Sequence, residues 1–86
     1  MPMVSTFYGI VVLMYLQDHN PPHFHVRYAG YKAAVGITER RIIRGSLPDR
    51  AERFVLEWTE LHQAELMANG ERCVRTIHPG LIEPLP

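Results

Sequence analysis

His23-Phe24-His25-Val26-Arg27-Tyr28-Ala29-Gly30-Tyr31-Lys32-Ala33-Ala34-Val35-Gly36-Ile37 is the stretch that decides the fold. Side chains alternate across a strand, so Phe24, Val26 and Tyr28 share one face while His23, His25 and Arg27 share the other. Ala29-Gly30 is a hairpin signal, and residues 31–37 read as the returning strand. The apolar face needs a cover, and the polar face does not.

Working toward the N-terminus, residues 7–16 (FYGIVVLMYL) are apolar on both alternating faces and rich in β-branched and aromatic residues. They read as one strand buried on both sides, central in the sheet. Working toward the C-terminus, residues 38–40 form a turn and residues 41–44 a short strand. The arginines flanking that strand suit an exposed edge. Gly45-Ser46-Leu47-Pro48 then breaks the pattern and opens a helix, with Asp49 and Glu52 where the helix dipole favours negative charge. Leu47, Ala51, Phe54, Val55, Trp58, His62 and Leu66 fall on one helical face, opposite Arg53, Glu57, Glu60 and Gln63. Asn69-Gly70 supplies a left-handed stop. The expected architecture is α+β: a small antiparallel sheet of three to four strands with one long helix, residues 48–69, packed on one face. Residues 1–5 and 76–86 are expected to be irregular ends of a single domain spanning 1–86.

Composition narrows the function classes. An 86-residue chain has room for one small core. Nine Lys and Arg balance nine Asp and Glu, so the chain lacks the basic excess of a dedicated nucleic-acid binder. A net charge of zero also offers little protection against association, which favours a partner protein or self-association. The one cysteine, Cys73, cannot make an intramolecular disulfide, which suits a reducing cytoplasm. The apolar run 10–16 is far short of the ~20 residues that cross a membrane, and no secretory leader is recognisable. The expected location is therefore cytoplasmic.

Chemistry concentrates in Asp18-His19-Asn20-Pro21-Pro22-His23-Phe24-His25, which holds three of the five histidines. The two prolines fix their own φ and press Asn20 toward extended backbone, so the imidazoles are presented from a stiff turn. His19, His23 and His25 form a candidate ligand set for a divalent metal such as zinc, with Asp18 as a further ligand or an acceptor for an imidazole N–H. His62, on the apolar helical stripe, is a candidate fourth contributor. Equally, His19 and His23 can bond the turn backbone, and His62 a carbonyl or solvent. With Arg27 nearby, His23 and His25 can also be read as a catalytic acid–base pair for phosphodiester hydrolysis, Arg27 stabilising charge. Tyr28, Tyr31 and Lys32 flank them. Arg40, Arg41 and Arg44 make a small basic patch. No phosphate loop, nucleophile elbow or cysteine nucleophile motif is present.

Phe7-Tyr8-Gly9-Ile10-Val11, Met14-Tyr15, the D-H-x-P-P-H-x-H segment 18–25 and Tyr28-x-Gly30-Tyr31 together resemble a small bacterial family of unknown function. Leu47-Pro48-x-Arg50-Ala51, Glu57-Trp58-x-Glu60-Leu61-His62 and Ile82-Glu83-Pro84-Leu85 extend the resemblance over nearly the whole chain. Members commonly occur beside another small protein, which implies, by association, a toxin–antitoxin-like or other two-component module. Relatives tend to carry an aromatic residue where this chain has Gly70. The reading favoured here is an interaction module acting with a partner protein; a metal-binding or phosphodiester-hydrolysing enzyme is the alternative.

Overall fold

The computed structural model describes residues 3–16 and 21–86. Five antiparallel strands form a meander: β1 (Met3–Phe7), β2 (Ile10–Leu13), β3 (His23–Tyr28), β4 (Tyr31–Gly36) and β5 (Arg41–Gly45), ordered β1-β2-β3-β4-β5 across the sheet. Two helices follow, α1 (Asp49–Leu61) and α2 (Gln63–Val74). The fold is α+β, with more strands and one more helix than the sequence suggests.

The extra strand comes from the apolar run at 7–16, which is not one strand. Tyr8 and Gly9 have φ of 51° and 79°, the left-handed pair of a two-residue hairpin turn. That turn folds Met3–Phe7 back onto Ile10–Leu13, so residues 3–5 lie in an edge strand rather than an irregular end. The β3–β4 hairpin turns at Ala29-Gly30 with the same handedness, φ 46° and 85°. At the other edge a bulge shifts the β4–β5 register, and Gly45, at φ 76°, lies so close to β4 that a Cβ there would sit 2.2 Å from the Lys32 carbonyl oxygen. Only glycine fits at that crossing.

The helical segment bends rather than running straight from 48 to 69. His62, with φ −118° and ψ 25°, departs from helical geometry between α1 and α2. His62 is the junction: its N–H closes α1 on the Trp58 carbonyl, and its own carbonyl opens α2 by accepting from the Leu66 N–H. Gln63 does not face solvent with Glu57 and Glu60; its side-chain amide donates to the Ile37 carbonyl at 2.9 Å and ties the second helix to the end of β4. Nor does Asn69-Gly70 stop the helix. Asn69 is buried, and its side chain is committed to the tail, donating to the Gly80 carbonyl and accepting from the Gly80 N–H. Neither Asn69 nor Gly70 takes the left-handed conformation that stops a helix, and α2 continues to Val74.

The core lies between the sheet and the helices. Trp58 packs edge-to-face on Phe24 (ring centroids 5.6 Å apart) and tilted on Phe7 (5.4 Å). Val4, Ile10, Val12, Met14, Val26, Val35, Val55 and Leu66 surround them, all essentially inaccessible to solvent. The covered face is the one carrying Phe24 and Val26. Residues 77–86 form no helix or strand, yet they complete the core: Ile82 is buried, its N–H donates to the Val4 carbonyl, and the Glu83 carbonyl accepts from the Trp58 indole N–H. Cys73 is buried in the same core.

Candidate functional site

Among the described residues no helix lies over the other face of the sheet, and strand alternation collects the reactive residues there. Pairing sets three rows across the strands. Leu13, His25, Ala34 and Arg44 form one; Val11, Arg27 and Lys32 form the next; His23, Gly36 and Arg41 form a third. Directly opposed residues in an antiparallel pair share a face. Tyr15, two residues beyond Leu13, projects onto the same face, its ring 4.8 Å from that of His25.

His23 and His25 lie together as the strand period predicts, their rings 5.0 Å apart and edge-to-face. His23 Nδ1 lies 2.8 Å from the Pro21 carbonyl oxygen. A carbonyl can only accept, so that nitrogen carries the proton and the ring orientation is set by the turn backbone. Arg27 is exposed and directs Nη2 toward the Tyr15 hydroxyl at 3.4 Å. Leu13 and Ala34 are buried on this side of the sheet, outside the main core. Beside them His25, Lys32, Ala34 and Arg44 line a depression of about 210 Å³, with Ala33 and Gly45 completing its wall.

Asp18 and His19 lie outside the described residues, so their part in the candidate ligand set is not placed. Among the described residues no group of three His, Cys, Asp or Glu side chains is arranged to hold a metal ion. His62 does not join the cluster. It packs against Trp58 on the covered side, ring centroids 5.7 Å apart, and bonds Glu65 Oε1 through Nδ1 at 2.6 Å. Its Nε2 is buried with no hydrogen-bond partner. The helical stripe that carries His62 faces Phe24, whereas His23 and His25 project from the opposite side of the same strand.

Sequence reasoning overlooked Tyr15, although its alternation with Val11 and Leu13 carried the signal. It also kept Arg44 apart from Arg27 and Lys32, because their kinship depends on strand pairing rather than spacing. The covered side has its own opening: a groove of about 690 Å³ between α1 and the tail, lined by Phe54, Glu57, Glu60, Leu61, Leu85 and Pro86. Among the described residues no helix is long and apolar enough to cross a membrane.

Neither a curated protein nor a solved structure matches the chain. A family model does, that of a domain of unknown function, DUF4160, over residues 9–69. The match runs from the β1–β2 turn into α2, takes in the whole histidine segment and most of both helices, and spans well over half of the chain, which therefore belongs to the DUF4160 family.

Proposed function

We propose that this protein is a cytoplasmic interaction module of a bacterial two-component pair, toxin–antitoxin-like in organisation, with the D-H-x-P-P-H-x-H segment as its signature. The observation that carries this reading is the groove beside α1. Leu61 is 60% exposed there, with Phe54 and Leu85 forming an apolar floor and Glu57 and Glu60 an acidic margin. An apolar strip beside carboxylates suits an amphipathic basic segment of a partner protein, whose apolar residues would fill the floor while its cations meet the glutamates. Leu81, Val74 and Ile77 are exposed elsewhere on the helices and tail and add apolar surface.

Co-expression with the product of the adjacent gene, followed by size-exclusion chromatography, tests the reading. Co-elution is expected. Leu61→Asp should weaken it at least tenfold while leaving the thermal midpoint unchanged, because Leu61 is a surface residue. Persistent separate elution of the wild-type proteins would overturn the reading.

A second reading is supported by the 5.0 Å approach of the His23 and His25 rings: a metal site, or a phosphodiester-cleaving site with Arg27 as its charge stabiliser. Zinc titration followed by imidazole NMR decides it. Stoichiometric shifts of His23 and His25 would support the site; unmoved resonances, together with alanine variants that change only stability, would remove it.

A further inference from the structure

The zero net charge hides a strong segregation. Between residues 21 and 48, Arg27, Lys32, Arg40, Arg41 and Arg44 are accompanied by one acid, Glu39. From residue 49 onward, Asp49, Glu52, Glu57, Glu60, Glu65, Glu71 and Glu83 outnumber Arg50, Arg53, Arg72 and Arg75. The first group lies on the last three strands and their turns, the second on the helices and tail. On the open face Arg27, Lys32 and Arg44 are all exposed, and among the described residues none is in an ion pair. The depression between β3, β4 and β5 has Lys32 and Arg44 on its walls and the small Ala34 as its floor. Next to it, Tyr15, His25 and His23 form a continuous edge-to-face series of rings.

We infer that this open face binds single-stranded nucleic acid, with Arg27, Lys32 and Arg44 holding successive phosphates and the Tyr15 and His25 rings meeting the bases. The cations are spread over three strands rather than converging on one point, which suits a backbone carrying several charges better than one isolated phosphate. Aromatic faces beside a cationic track are how proteins bind unpaired bases without reading sequence, whereas a duplex keeps its bases stacked away from such rings. Glu39 sets its carboxylate over Gly36, in the row of His23 and Arg41 rather than the rows of Arg27, Lys32 and Arg44. This inference goes beyond the partner-protein reading and uses the opposite side of the molecule.

Fluorescence anisotropy of the full chain with a labelled oligonucleotide of about twelve bases tests it. The arms are single-stranded RNA, single-stranded DNA of the same sequence, and the DNA duplex. Either single strand should bind more tightly than the duplex, and the tighter of the two identifies the natural ligand class. Three phosphate contacts predict a roughly twenty-fold loss between about 50 and 200 mM salt. The double variant Lys32→Glu/Arg44→Glu should lose at least tenfold with an unchanged thermal midpoint, and Tyr15→Leu, which keeps the packing but not the ring electrons, should lose about tenfold. Leu61→Asp should bind as the wild type does, so the two proposals fail independently. Equal affinity for duplex, full competition by polyglutamate at matched charge, or undiminished binding by the double variant would overturn the inference.

Discussion

The two faces of one strand, β3, do opposite work. Phe24 and Val26 point at Trp58 and are sealed from water. His23, His25 and Arg27, interleaved with them, point at no helix and stand beside Tyr15, Lys32 and Arg44. Close packing makes a residue expensive to change, whereas a half-solvated cation is nearly free to vary in stability terms. The comparison therefore separates residues that hold the fold from residues available for recognition, within a six-residue strand.

The largest effect should come from the covered face. Trp58→Ala removes the ring that bridges Phe7 and Phe24 and orphans the Glu83 carbonyl, at a cost of about 3–5 kcal/mol. That approaches the whole stability of a chain this small, so urea denaturation should find the variant largely unfolded. A wild-type unfolding midpoint would break the comparison outright. An intermediate effect is expected at the seam between the faces. Gly45→Ala puts a methyl group on the Lys32 carbonyl at a left-handed backbone position and should cost roughly 2–4 kcal/mol by thermal unfolding. If it melts with the wild type, β5 is held more loosely against β4 than the crossing implies. The smallest effect belongs to the open face: Lys32→Ala should move stability by no more than about 0.5 kcal/mol. A loss above about 1 kcal/mol would mean that the open face also holds the fold.

The β3–β4 hairpin could be read from residues alone, because polar and apolar side chains alternate cleanly from His23 to Tyr28 and Ala29-Gly30 marks the turn. The Tyr8-Gly9 turn could not. Apolar residues flank it on both sides, so the change of direction leaves no break in hydropathy, and β1 was lost with it. The helical stripe from Leu47 to Leu66 identified the buried side correctly, but the break at His62, where α1 ends and α2 begins, has no sequence mark. Asn69-Gly70 reads as a helix stop, but neither residue takes left-handed backbone, and the Asn69 side chain instead holds Gly80 of the tail. At the candidate site, the shared face of His23, His25 and Arg27 followed from period two. Lys32 and Arg44 joined it only through the register of three strands, information that lies in pairing and not in spacing.

The tail that crosses β1 has a consequence for the order of assembly. Ile82 bonds Val4, Glu83 bonds Trp58, and the Tyr8 hydroxyl donates to the Pro86 carbonyl across 78 positions of sequence. During synthesis, at about 5–20 residues per second, the five-stranded meander emerges seconds before the segment that seals its first edge. For that interval β1 presents unpaired backbone groups, a template for joining another chain. Closure of so long a loop contributes late and slowly to folding. The edge at β1 is thus the last part of the fold that the chain can close.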